Sequence, residues 1–233
     1  MTALVSHPGP RGFFITGTDT GVGKTLIACA LLHAYAARGM RVVGMKPIAA
    51  GALRINHAFI NEDVERLLAA SNVAAPRELV NPYCFELPIA PHIAARLEEK
   101  LIKIKHLCEC QQRLSALADV VIVEGAGGFC VPLNDRKSAA DLARALSLPV
   151  VLVVGMRLGC LSHALLSAEA IRARGLPLAG WVANHIDRDM AYADENVAAL
   201  QLRLAAPLLA RIRYDAAVHA AQIAGLIALD ALA

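Results

Sequence analysis

Gly17-Thr-Asp-Thr-Gly-Val-Gly-Lys-Thr25 is the stretch on which the reading of this chain turns. It follows an apolar run at 12–16 and precedes an alanine- and leucine-rich stretch of helical length at 25–38. Strand, glycine-rich turn and helix in that order are the setting of a phosphate-binding loop. Small residues let the backbone curl until its N–H groups face phosphate oxygens, and the following helix adds the positive end of its dipole. Lys24 supplies a full charge for the β and γ phosphates, and Thr25 a hydroxyl for Mg2+. The usual form is GxxxxGK[ST]. Here position 18 is threonine and the nearest earlier glycine is Gly17, so the loop is one residue longer than usual.

Outward from the loop, short β-rich runs recur at 41–45, 120–123, 149–154, 178–183 and 208–212. Most are apolar throughout rather than alternating, which is how strands read when helices cover both faces of a parallel sheet. Helices are expected at 25–38, closed by Gly39, and at 61–71, 91–110, 139–147, 161–174 and 191–204. The stretch 81–91 carries three prolines and is expected to be an irregular connection. The predicted fold is α/β: a doubly wound, mainly parallel sheet with helices on both faces, formed as one domain over 1–233.

Composition narrows the function. Hydrophobic residues make up 57% and charged residues 18%, which excludes a disordered chain. The most apolar run, 148–156, is far shorter than the ~20 residues a spanning helix needs, so no membrane partner is expected. Residues 1–10 lack the basic and apolar regions of a secretory signal. Six scattered cysteines read as reduced thiols, and the chain is expected in the cytoplasm. Cys108 and Cys110 form a CxC pair with no matching second pair, a poor pattern for zinc. Lys and Arg total 23 against 20 Asp and Glu, too small an excess to imply nucleic acid. Residues 96–113 mix basic residues with Glu98, Glu99 and Glu109 and read as a solvated helix face.

Charged residues placed at strand ends extend the phosphate-loop reading. Glu124 follows the apolar run 120–123 and precedes Gly125-Ala-Gly-Gly128, at the carboxyl edge of the sheet where ligands bind in such folds. Mg2+ prefers six oxygens, so a second and third ligand are needed beside Thr25. Glu124 is one candidate. Asp63, in Asn61-Glu-Asp63, is another, although helix capping accounts for it equally well. Lys46 ends the second strand and is rare in such a place unless it projects into a cleft, where it would stabilise a transferring phosphoryl group. Snorkelling to solvent is the alternative.

The segments GTDTGVGKT (17–25), MKPIAAG (45–51), VNPY (80–83), APHIAA (90–95), VEGAGG (123–128), PVVLVVGMRLGCLSHALL (149–166), LAGWVAN (178–184) and APLL (206–209) together resemble the dethiobiotin synthetase family over nearly the whole chain. The longer phosphate loop is a trait of that family. The resemblance implies ATP-dependent closure of 7,8-diaminopelargonate with CO2 to a cyclic urea, through a carbamate and a carbamic-phosphoric anhydride. It implies Thr25, Asp63 and Glu124 as Mg2+ ligands, Lys24 and Lys46 holding phosphate and carbamate, and Thr20 orienting the reacting groups. ATP contacts are implied for Gly21, Val22, Gly23 and Leu26, for Gly125, Ala126 and Gly127, and for Asn184, His185, Arg213, Tyr214 and Asp215 around the adenine. Substrate contacts are implied for Ala50 and for Gly159, Cys160, Leu161 and Ser162, the last four across a homodimer interface.

The chain departs from the family pattern at several places. Gly21 replaces a frequent glutamate, Ala50 a serine, Arg157 a lysine and Arg213 a proline, and Tyr192 stands a helical turn before Asn196, where a tyrosine is usual. Two other readings start from the same loop. A MinD- or ParA-like switch carries an extra lysine where this chain has Asp19 and often a basic tail, whereas 216–233 hold no Lys or Arg. An amidoligase of the cobyrinate type adds a glutaminase domain for which 233 residues leave little room.

Overall fold

The computed structural model describes residues 12–56 and 58–232. Residues 1–10, read above as unlike a secretory signal, lie outside the described residues. The first half of the chain runs β1 (Gly12–Gly17), α1 (Lys24–Ala37), β2 (Val42–Met45), β3 (Ile48–Ala50), β4 (Leu53–Ile55), β5 (Ala58–Ile60), α2 (Glu62–Ala70), α3 (Arg77–Val80), β6 (Tyr83–Phe85), α4 (Pro91–Leu97) and α5 (Ile104–Leu117). The second runs β7 (Val120–Gly128), α6 (Ala139–Leu146), β8 (Val150–Met156), α7 (Cys160–Ala173), β9 (Leu178–His185), α8 (Ala193–Arg203), β10 (Leu208–Ile212) and α9 (Ala220–Ile223).

Six strands form a parallel sheet in the order β10-β9-β8-β1-β7-β2. Alternation along each strand explains why the runs are apolar throughout. Phe13 and Ile15 of β1 pack in the same core as Ile27 and Leu31 of α1, while Phe14 between them joins the opposite core with Leu107 and Leu114 of α5. In β8, Val151 and Val153 share the α1 side, and Leu152 and Val154 pack with Ala164 and Ala168 of α7. Both faces are therefore covered, as predicted, and a strand so placed has no polar face to display. The chain leaves β1 toward β2 and β8 toward β10, so the direction of winding switches between β1 and β8. That crevice, at the carboxyl ends, is where such sheets hold ligands.

Two expectations need correction. The single helix at 91–110 is two helices, because the chain leaves α4 through Glu99 at φ 52° and Lys100 donates its N–H back to the Ala95 carbonyl at 2.8 Å. Ile102 is then buried between the two helices, and α5 continues to Leu117. The connection at 81–91 is not wholly irregular, since Tyr83–Phe85 pairs in parallel with Ile48–Ala50 as a separate two-stranded ribbon. An antiparallel ribbon of β4 and β5 was not expected at all. Among the described residues no helix is long and apolar enough to cross a membrane.

Helix α2 is held against the sheet at one close approach. Asn61 caps it by accepting the Val64 N–H, and Leu67 presses on the strand backbone at Gly44, where an added Cβ would lie 2.9 Å from the Leu67 Cβ. A larger residue must push α2 outward. Gly44→Val is expected to cost about 1–3 kcal/mol through overpacking, read as a lower urea midpoint. An unchanged midpoint would mean that α2 is not seated on β2 in this way.

Candidate functional site

The register of the sheet brings the charged strand ends together. Met45 of β2 pairs with Val123 of β7, so the next residues, Lys46 and Glu124, stand side by side beyond the last apolar pair. Lys46 then leaves the sheet, its N–H donating to the Val80 carbonyl at 2.8 Å and its carbonyl accepting from the Asn81 side chain at 2.6 Å. Its ammonium donates to Glu124 Oε1 and, at 2.9 Å, to Asp63 Oδ2 from the first turn of α2. Lys46 is 5% exposed and Glu124 only 1%. Burial would lower the Lys46 pKa, but the charges of Glu124 and Asp63 outweigh it and hold the value raised. Asp63 answers in kind: burial pushes its carboxyl up, yet Lys46 holds it lowered.

Thr25, in the first turn of α1, closes the cluster. Its Oγ1 lies 2.8 Å from Asp63 Oδ1 and 2.9 Å from Glu124 Oε1. One hydroxyl hydrogen cannot serve both carboxylates, and among the described residues the buried Glu124 Oε2 has no partner. Crowded, under-protonated oxygens of this kind fit a hard cation. Among the described residues no three or more His, Cys, Asp and Glu converge. Two carboxylates and a hydroxyl suit Mg2+, which retains waters and takes phosphate oxygens, better than a metal needing a full protein cage.

The loop itself is tied down at both ends. Thr18 donates its N–H to the Val153 carbonyl at 3.0 Å, and its hydroxyl accepts the Gly155 N–H at 3.2 Å. Lys24 donates to the Asp19 carbonyl at 2.8 Å. Burial first, and then the nearby Lys46 charge, bring the Lys24 pKa down to about 8. Gly23 caps α1 at φ 90° with no side-chain cap, so the first N–H groups of the helix remain free for an anion. The Val22 carbonyl accepts the Asn184 amide at 2.8 Å, which joins the loop to the end of β9.

Two cavities follow from this arrangement. The larger, about 610 Å3, is lined by Thr20, Gly21, Gly23, Lys24, Thr25 and Leu26, by Lys46, Ala50, Asp63 and Glu124, and by Ala126 and Gly127. The smaller, about 200 Å3, is lined by Leu26 again and by Asn184, His185, Arg213, Tyr214 and Asp215. Val22 and Gly125 line neither; both are buried in the wall. Gly159, Cys160, Leu161 and Ser162 also line neither cavity. They open α7, in a loop joined to the phosphate loop by an ion pair between Arg157 and Asp19. Tyr192 is 76% exposed, and its carbonyl accepts from the Asn196 side chain. Sequence reasoning missed Arg66 and the segment Pro88, Ile89 and Pro91, all of which line the larger cavity. Arg66 could have been found by its spacing, three residues after Asp63 on one helix face.

The AAA domain family model matches residues 11–222. The ATP-dependent dethiobiotin synthetase BioD of Aromatoleum aromaticum is 54% identical over 220 residues, covering 94% of this chain and 98% of that protein. The protein of the same name from Nitrosospira multiformis is 56% identical over 205 residues, covering 88% and 89%. The chain belongs to the dethiobiotin synthetase family. Solved structures extend the likeness in fold alone. The septum site-determining protein MinD of Pyrococcus horikoshii, complexed with Mg-ADP, matches with a TM-score of 0.52 at 17% identity, over 94% of this chain and 88% of that one. A shared fold at that distance carries no function over. In the dethiobiotin synthetase family the same scaffold serves a ligase.

Gly23 marks the tightest point of the loop. A Cβ there would lie 2.3 Å from Asn184 Nδ2, and a side chain would also strain the left-handed backbone. Gly23→Ala is expected to weaken Mg-ADP binding about tenfold or more by calorimetry, with the circular dichroism spectrum kept. Wild-type affinity in the variant would show that the Gly23 and Asn184 contact is not needed for binding.

Proposed function

We propose that this chain closes 7,8-diaminopelargonate and CO2 into dethiobiotin with ATP. The observation that carries the reading is the convergence of Lys46, Thr25, Asp63 and Glu124 beside the phosphate loop, in a chain of this family. One amine adds to CO2 and loses a proton, giving a carbamate. A carbamate oxygen attacks the γ phosphorus and ADP leaves, forming a carbamic-phosphoric anhydride. The second amine attacks the anhydride carbonyl and loses a proton as phosphate departs, which closes the urea ring.

Phosphate is a good leaving group, so the protein's task is to position the reactants and neutralise charge. Lys46 is fixed by two carboxylates and aims its charge at the larger cavity, suited to the carbamate and the moving phosphoryl group. Lys24 takes the β and γ phosphates, and Thr20, which lines the same cavity, is proposed to orient the carbamate and the phosphoryl group. Thr25, Asp63 and Glu124 are the proposed Mg2+ ligands. When bound, the ion supplies charge neutralisation on the phosphate oxygens. Asn184, with a donor and an acceptor, reads the base in the smaller cavity alongside His185, Arg213, Tyr214 and Asp215. Leu26 lines both cavities, so one nucleotide reaches from one to the other across it.

The start of α7 is proposed to serve a second copy of the chain. Its N-cap, Gly159, has φ 94° and no side-chain cap, a setting in which the N–H groups of Leu161 and Ser162 can donate to a carboxylate, with Cys160 beside them donating its own N–H to the Arg157 carbonyl at 3.0 Å. Leu158 is 95% exposed and Leu166 61% exposed on the same loop and helix, which supports burial against a partner. The dependence on ATP and the six free cysteines favour the cytosol. A monomer by sedimentation at assay concentrations would remove the partner's contribution.

The reaction is tested by ADP release from purified protein with Mg-ATP, bicarbonate and the diamine, each omitted in turn. Release is expected only with all present, and hydrolysis indifferent to the diamine would overturn the reading. Lys46→Ala is expected to keep Mg-ADP binding and lose about 10²- to 10³-fold in kcat. Near wild-type turnover would refute the role given to Lys46.

A further inference from the structure

Arg66 enters the larger cavity without any part in the reaction described so far. It lies three residues after Asp63 on α2, so the two side chains leave the helix on one face. Leu67, the next residue, is fully buried and fixes that face toward the sheet. The Arg66 charge is felt on α1 as well: burial pushes the Cys29 thiol up to about 12, and Arg66 opposes the rise. Arg66 lines the larger cavity together with Leu26, which also lines the smaller one.

The charges lining the cavity are three cations, Lys24, Lys46 and Arg66, against two carboxylates, Asp63 and Glu124. Both carboxylates are engaged by Lys46. The partner of Arg66 is Glu62, one turn back on α2, which does not line the cavity. Arg66 and Glu62 are 59% and 76% exposed, and an exposed pair of this kind contributes little and is easily exchanged. A guanidinium matches phosphate with two parallel N–H bonds, which a carboxylate in solvent cannot outcompete once the ligand is held.

We propose that Arg66 is a third phosphate-binding cation, whose guanidinium leaves Glu62 for the phosphate chain of the bound nucleotide. The proposal rests on the nucleotide reading of this cavity. It assigns the residue to the diphosphate span between the phosphate loop and the base, since Lys24 and Lys46 already serve the far end. The diamine is a poorer partner, because its amines repel a guanidinium and its carboxylate is assigned above to the start of α7.

Calorimetry with Mg-ADP and with adenosine, on the whole chain, tests it. Arg66→Ala is expected to weaken Mg-ADP about tenfold or more and to leave adenosine unchanged. Arg66→Lys should recover part of the loss. Glu62→Ala should not weaken Mg-ADP, since it frees the cation. Equal losses in Arg66→Ala and Glu62→Ala, or equal losses for Mg-ADP and adenosine, would show a structural pair and overturn the proposal. Unchanged Mg-ADP binding in Arg66→Ala would also overturn it while the nucleotide reading stands. Wild-type protein that binds no Mg-ADP would instead overturn the nucleotide reading.

Discussion

The buried ammonium of Lys46 between Glu124 and Asp63 is the contact on which the rest of the site depends. Removing these charges from water is costly, and their mutual attraction offsets the cost only when the geometry is held closely. Three separate elements supply that geometry. The pairing of β2 with β7 places Lys46 beside Glu124, and the Asn61 cap and the Leu67 contact place the first turn of α2 above them. A slip of either strand would bury an unpaired charge. The site thereby enforces the register of the sheet edge as much as the sheet builds the site.

From this centre the two cavities acquire their order. The larger gathers charge; the smaller carries the amide of Asn184 and the aromatic ring of Tyr214. The bond from Asn184 to the Val22 carbonyl fixes the phosphate loop to the end of β9, and Thr18 fixes it to β8. The loop is thus set by both neighbours on the β8 side of β1, the side toward which the winding switches. A ligand spanning the two cavities meets backbone that is already positioned, which reduces the ordering cost of binding.

The legibility of this arrangement varied with the physical signal. Strands buried on both faces read as apolar runs, and a charge ending such a run has few bland explanations, so Lys46 and Glu124 were visible from sequence. Asp63 was ambiguous because an acid in a first helical turn also serves the helix. The ribbons β3 with β6 and β4 with β5 are only three residues per strand, too short for any period to show. The break after α4 depends on Glu99 in a left-handed conformation, which a glutamate does not advertise. The residues of the smaller cavity come from the ends of β9 and β10, which bear no motif of their own, and from Leu26 of α1, far earlier in the chain. They were legible only through likeness to a family.

The two lysines of the site are balanced in opposite ways, and this explains how one centre can be both stable and receptive. Lys46 has a raised pKa because the fold itself supplies its counter-charges. Lys24, drawn down to about 8 by burial and by Lys46, has among the described residues only the uncharged Asp19 carbonyl as acceptor. A carboxylate there would have satisfied the lysine and removed its affinity for phosphate. By leaving Lys24 with a neutral partner next to a neutralised Lys46, the fold accepts some strain in its charge distribution at the loop. A polyanion would relieve that strain, so the same burial that destabilises the lysine favours the ligand proposed for it.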